Sequence, residues 1–159
     1  MKHFVLIAGL VAGPAVLSCQ QYRAAVRVDP NDPRLARLQQ YFAQRDCPLR
    51  AAAADFLVAA DLNALDWRLL PSISMVESSG GKDYRNNNVL GWDSCRRSFA
   101  SIRAGIHFVA AQLAKSVRYK DKGLDAKLRI YNPQPGYLQK VKAVMAALGP
   151  IDPDLEAVN

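Results

Sequence analysis

The residue of this chain best suited to acid chemistry is a glutamate near the end of an apolar stretch. Leu69, Leu70, Ile73 and Val76 recur at helical spacing, and Glu77 follows Val76 by one residue and Ile73 by four. Glu77 therefore sits beside the stripe that a helix over 67–79 would bury. Burial disfavours a carboxylate, and so does the partial negative charge at a helix C-terminus. Both raise the pKa, and a carboxyl that holds its proton near neutrality can give it to a leaving oxygen. The competing reading is a helix-end glutamate turned to water. Two-acid hydrolysis would need a second carboxylate, for which Asp83 and Asp93 in the following polar stretch are the candidates. Serine nucleophilic catalysis is not indicated: there is no Gly-x-Ser-x-Gly, and His107 reads as a helix-face residue. His3 and His107 are the only histidines, and neither stands at ligand spacing to a cysteine. No metal site and no cofactor is expected.

The elements that must position this glutamate are helical. Half of the 159 residues are hydrophobic, alanine is abundant and alternating Val/Ile/Thr runs are almost absent. Asp32 is placed to cap a helix with Pro33 in its first turn, carrying Leu35, Leu38, Tyr41 and Phe42 inward and ending at Cys47-Pro48. A second helix spans about 49–62, with Phe56, Leu57 and Ala60 on its buried side. Asp66 is expected to cap the third, from Trp67 to about Ser79, stopped by Gly80-Gly81. Residues 80–97 read as a polar loop. Ser98 opens a long helix to about Val117, with Ile102, Ile106, Val109 or Ala110, and Leu113 inward; Leu124 to Tyr131 form a fifth. After the turn Asn132-Pro133-Gln134-Pro135-Gly136, Tyr137, Val141, Val144, Met145 and Leu148 mark a sixth that stops at Gly149-Pro150. The expectation is an all-α domain over residues 33–149, with six helices and little or no sheet, followed by a loose tail over 150–159.

The N-terminus reads as a targeting segment. Lys2 and His3 precede the apolar run Phe4 to Leu17, whose 14 residues fall short of the roughly 20 a spanning helix needs. Val16-Leu17-Ser18-Cys19 resembles a bacterial lipobox. It implies a signal peptide over 1–18, cleavage before Cys19, a lipid on Cys19 holding the protein to a membrane, and a tether over 19–32; plain secretion is the alternative. Either way the body lies in the cell envelope outside the cytoplasm, in the periplasm. Cys47 and Cys95 then form an even pair in an oxidising compartment and are expected to be bridged. Loss of residues 1–18 removes Lys2 and no acid, leaving 20 basic against 14 acidic residues and a net charge of +6. Such a surface favours polyanionic partners outside the cytoplasm and not nucleic acid. Arg96, Arg97, Arg118, Lys120 and Lys122 are dispersed, with no basic-aromatic stripe, and a plain solvated face is the other reading.

Three segments together resemble the lysozyme-like superfamily, nearest to the soluble lytic transglycosylases and related N-acetylglucosaminidase-type enzymes. Trp67-Arg68-Leu69-Leu70-Pro71-Ser72-Ile73-Ser74-Met75-Val76-Glu77-Ser78-Ser79-Gly80-Gly81-Lys82 is similar to the family's catalytic helix, which ends in Glu-Ser. Asn86-Asn87-Asn88-Val89-Leu90-Gly91-Trp92 resembles the Asn-Asn-x-x-Gly segment lining the glycan cleft. Ile130-Tyr131-Asn132-Pro133-Gln134-Pro135-Gly136-Tyr137 resembles the Tyr-Asn-x-x-Pro element, whose tyrosine hydroxyl steadies the catalytic glutamate. The likeness spans about residues 48–148. It implies cleavage of the glycan strands of peptidoglycan, with Glu77 as acid/base supported by Tyr131, and with Ser78, Asn88, Gly91, Trp92 and Asn132 at the substrate. Alternatives stay open for several of these. Trp92 could stack on a sugar or anchor the loop, and Asn88 could bind substrate or cap a turn. The family's Gly-Leu-Met-Gln is replaced here by Val89-Leu90-Gly91-Trp92, which leans toward the glucosaminidase-like branch. A lone glutamate suits a transglycosylase forming 1,6-anhydro ends; hydrolysis on the same fold is the runner-up. A catalytically silent peptidoglycan-binding or assembly lipoprotein is the reading of another class.

Overall fold

Six α-helices and two short 3₁₀ segments make up the regular structure of residues 27–152, the part of the chain that the computed structural model describes, and no strand occurs among them. The expected signal segment, Cys19 and most of the tether lie outside the described residues, as does the tail from residue 153. No helix among the described residues is long and apolar enough to cross a membrane.

The first helix, α1 (Pro33–Ala43), starts as its sequence dictates. The Asp32 carboxylate accepts from the Arg34 backbone N–H at 2.9 Å, satisfying a donor that the first turn leaves free. A 3₁₀ turn (Pro48–Ala52) leads into α2 (Ala53–Asp61), so the second helix enters through a tighter turn than its apolar pattern suggests. The third, α3 (Leu69–Ser78), begins two residues later than expected. Asp66 still serves its start, but the Asp66 carboxylate accepts from the Arg68 N–H at 3.0 Å, closing a turn ahead of the helix. Pro71 falls in the first turn, where a missing N–H breaks no helical hydrogen bond. The long helix α4 (Ile102–Lys115) also starts late. Ser101 and not Ser98 is its cap, accepting from the Ala104 N–H at 3.1 Å, so residues 79–101 form one loop broken only by the second 3₁₀ segment (Trp92–Cys95). The last two helices are α5 (Leu124–Tyr131) and α6 (Tyr137–Leu148).

Packing centres on two pairs, α3 against α6 and α2 against α4. Phe42, Phe56, Leu57, Leu70, Ile73, Leu90, Ile106, Leu113, Leu128 and Leu148 are among the side chains sealed in one core. Apolar burial of this kind contributes about 25 cal/mol per Å² and dominates what holds the domain together. The chain just beyond the last helix is fastened at Gly149 and Ile151, and the rest of the expected tail lies outside the described residues. Trp67 Nε1 donates to the Ile151 carbonyl at 2.9 Å, and Arg68 donates to the Gly149 carbonyl at 2.8 Å. These bonds clamp the start of α3, the helix that carries Glu77, to the end of α6.

Candidate active site

Helix α3 ends abruptly, and the ending aims its last turn. Ser79 turns left-handed (φ 51°), and the Gly80 N–H returns to the Ser74 carbonyl at 3.2 Å. Gly80 also sits against Cys47, where an added Cβ would come within 2.9 Å of the Met75 sulfur. The Ser78 hydroxyl, buried, lies 2.9 Å from the Ser74 carbonyl and 2.8 Å from the Val89 carbonyl, and it accepts from the Gly81 N–H. Ser78 thus welds the helix end to the loop. It is not at a substrate surface, which corrects the expected binding role.

The loop is shaped by the three asparagines. Asn86 Nδ2 donates to the Cys95 carbonyl at 3.1 Å, and Asn87 Nδ2 donates to the Phe99 carbonyl at 2.9 Å. Asn88, almost wholly buried, donates to the carbonyls of Trp92 (2.9 Å) and Arg97 (3.0 Å), and its Oδ1 accepts from the Trp92 N–H (2.9 Å). Both N–H groups of that amide and its oxygen are engaged, so Asn88 is a turn staple and not a substrate ligand. The staple holds a costly backbone: Asp93, Ser94 and Cys95 are consecutive left-handed residues with φ of 52°, 53° and 60°. Gly91 (φ 69°) precedes them, and a Cβ there would stand 2.7 Å from the Glu77 carboxyl carbon. Only glycine lets the loop lie on the carboxyl.

The result is a cavity of about 730 Å³ whose wall includes Glu77, Gly91, Trp92, Tyr131 and Asn132. Five of the seven expected site residues therefore converge, and Ser78 and Asn88 support them from behind. A second cavity of about 230 Å³ opens beyond, sharing Glu77, Asn132 and Gln134 and adding Tyr137. Glu77 lines both. Of the two candidate second acids, Asp93 lines the larger cavity and Asp83 does not. Trp92 meets the rings of Tyr131 (5.7 Å), Phe108 (5.9 Å) and Tyr119 (6.0 Å) while still reaching the cavity. It anchors the loop and lends the site an aromatic wall. His107, on α4, is not among the lining residues of either cavity.

Burial raises the Glu77 pKa above the ordinary carboxyl value, and the facing Tyr137 and Asn132 side chains pull it part of the way back. Tyr131 lies near enough to Glu77 to feel its charge, but its hydroxyl is turned to the loop. Its hydroxyl donates to the Leu90 carbonyl, next to Gly91, and so pins the loop above the carboxyl. The tyrosine that faces Glu77 is Tyr137. Its hydroxyl is buried beside that carboxyl in less than ideal hydrogen-bonding geometry, and burial first, then the neighbouring negative charge and the contact with Glu77, raise its pKa. The turn at Gly136 (φ 82°) folds α6 back so that the Tyr137 ring stacks on Tyr131 at 6.3 Å. The repeat of tyrosine across a Pro-x-Pro-Gly turn was the available signal for Tyr137.

Cys47 and Cys95 stand as separate thiols in this structure, without the expected bridge. The Cys47 sulfur is held 3.7 Å from the Met75 sulfur and 3.7 Å from the Ser79 carbonyl, under Gly80. Cys95 belongs to the left-handed loop segment and stands near enough to Tyr131 to influence its ionisation. Each cysteine is committed to its own local packing. Among the described residues no group of His, Cys, Asp and Glu could hold a metal ion. No protein-family model, no curated protein and no solved structure matches the chain.

Proposed function

We propose that the protein is an exported enzyme that cuts the glycan strands of peptidoglycan, with Glu77 as its acid. The observation that carries this reading is the placement of one desolvated carboxyl where two cavities meet. A polymer lying through both would put an internal bond at Glu77, whereas a small substrate would need only one. The proton that burial keeps on the carboxyl passes to the glycosidic oxygen as the bond breaks. In the transglycosylase scheme implied by the sequence resemblance, the substrate's N-acetyl group steadies the cationic sugar. Glu77, now ionised, then takes the proton of the C6 hydroxyl as that oxygen closes a 1,6-anhydro ring. Tyr137 and Asn132 favour the ionised form and so assist that second half.

Hydrolysis is the second reading, favoured by one observation: Asp93 shares the larger cavity with Glu77. Against it, Asp93 is engaged by Arg96 at 2.6 Å. Lipid attachment at Cys19 and placement in the periplasm belong to the same proposal and rest on the N-terminal sequence. Digestion of purified peptidoglycan with mass analysis of the fragments tests the whole. Anhydro ends support transglycosylation, and reducing ends support hydrolysis. Intact strands after exposure to the wild-type protein refute cleavage and leave the silent binding lipoprotein.

A further inference from the structure

We propose that Arg97 and Arg118 form an anion-recognition wall in the Glu77 cavity, taking a carboxylate carried by the polymer beside the bond to be cut. The inference rests on the glycan-strand reading and names the charge that strand must present. Both arginines line the larger cavity together with Glu77. Neither has a carboxylate partner among the described residues, whereas Arg34, Arg68, Arg96 and Arg103 are each paired with an aspartate.

Each guanidinium is nevertheless held in place. Arg97 lies over the Phe108 ring, 3.9 Å from its centroid. Arg118 donates to the Ile130 carbonyl at 3.3 Å and stands 5.8 Å from the centre of the Tyr119 ring. Lying over a ring engages the flat face of the Arg97 guanidinium and leaves its in-plane N–H donors for a carboxylate, while Arg118 offers the donors that its bond to Ile130 does not use. The charge balance agrees. The wall has two acids, Glu77 and Asp93. Asp93 is offset by Arg96, and Glu77 is neutral when poised as an acid. The cavity then keeps two exposed guanidiniums that no carboxylate among the described residues offsets. In peptidoglycan the carboxylate could come from the stem peptide or from the lactyl group of the muramic sugar once the peptide is removed.

Binding separates this inference from catalysis. The Glu77→Gln protein is sedimented with insoluble peptidoglycan sacculi, intact or with their carboxylates converted to neutral amides by a carbodiimide and an amine. Amidation is expected to weaken binding about tenfold or more, the scale of a charge-assisted hydrogen bond. Adding Arg97→Gln and Arg118→Gln should give the same loss on intact sacculi and abolish the response to amidation. Arg118→Gln alone, on an exposed turn, serves if the double variant does not fold. Sacculi stripped of stem peptides expose the lactyl carboxylate in place of the peptide's: retained, arginine-dependent binding means that the wall also takes the lactyl group, and lost binding means that it takes the peptide carboxylate alone. Equal sensitivity to amidation with and without the arginines overturns the proposal. So does no sensitivity in either. If the wild-type protein cuts nothing yet the arginine-dependent pattern appears, the cleavage reading fails and the anion wall stands.

Discussion

The site has two halves of opposite construction. The helical half, Glu77 on α3 with Tyr131 and Tyr137 flanking the α5–α6 turn, rests on the core. The loop half, residues 86–97, contains almost no regular structure and four left-handed residues from Gly91 to Cys95. It keeps its shape through side-chain amides bonding backbone carbonyls. The helical half gets its rigidity from apolar area, which tolerates a lost polar group. The loop half gets its rigidity from a few hydrogen bonds, each of which counts. Chemistry is assigned to the first half and shape to the second, and mutations should separate them.

The largest expected effect is on activity alone. Glu77→Gln should lower strand cleavage by about 10²–10⁴-fold, the share general acid catalysis supplies, and leave the circular dichroism spectrum unchanged. Its stability should also carry a sign. Because the folded-state pKa of Glu77 is raised, folding favours the protonated form, and that contribution fades as pH climbs through the raised value. Thermal melts should therefore show Glu77→Gln gaining on the wild type as pH rises above the ordinary carboxyl range. A wild type that is instead stabilised relative to the variant at higher pH would contradict the burial account. By the same logic, wild-type cleavage should fall as pH rises through the raised pKa.

Next comes the loop. Asn88→Ala removes three hydrogen bonds and orphans backbone groups of Trp92 and Arg97, so a loss of about 2–4 kcal/mol in urea unfolding is expected, with cleavage reduced through loop disorder. A loss no greater than that of an exposed substitution would erase the contrast between the halves. The cysteines sharpen it further. Cys47→Ser replaces a packed sulfur by a smaller hydroxyl that must reach the Arg45 or Ser79 carbonyl, and should cost about 1 kcal/mol. Cys95→Ser should stay within about 0.5 kcal/mol, since no bridge is lost. Thiol titration of the purified protein under denaturing conditions should find both cysteines reduced. The smallest effect is expected at Tyr137→Phe. At low pH stability should hardly change, because the lost hydroxyl had no well-placed partner, while the Glu77 pKa rises, stability falls slightly above it, and the alkaline edge of the cleavage profile moves to higher pH. An edge that stays put would mean that Tyr137 does not act on Glu77.

The helices were legible because their apolar residues recur at a spacing that only a helix can bury on one side. Glu77 was legible for the same reason, since its place follows from Ile73 and Val76. The expected starts of α3 and α4 were off by a few residues, because Asp66 closes a turn ahead of α3 and Ser101 takes the capping place at α4 that Ser98 could also fill. Asn88 and Ser78 were read as possible ligands because polar residues in a loop look alike until their hydrogen-bond partners are known. The disulfide expectation came from counting and compartment, and neither says how two cysteines are oriented.

Composition and periodicity alone determined that this protein would be helical, that Asp32 would start the first helix, and that one acid would stand at a half-buried helix end. Those are local matters, governed by neighbours three or four residues away. Tertiary structure decided that Gly91 would lie on the carboxyl, that the Tyr137 hydroxyl would stand beside it while the Tyr131 hydroxyl turned to Leu90, and that Arg97 and Arg118 would share its cavity. Those outcomes depend on how a loop with left-handed turns closes over a helix, through contacts between residues far apart in the chain.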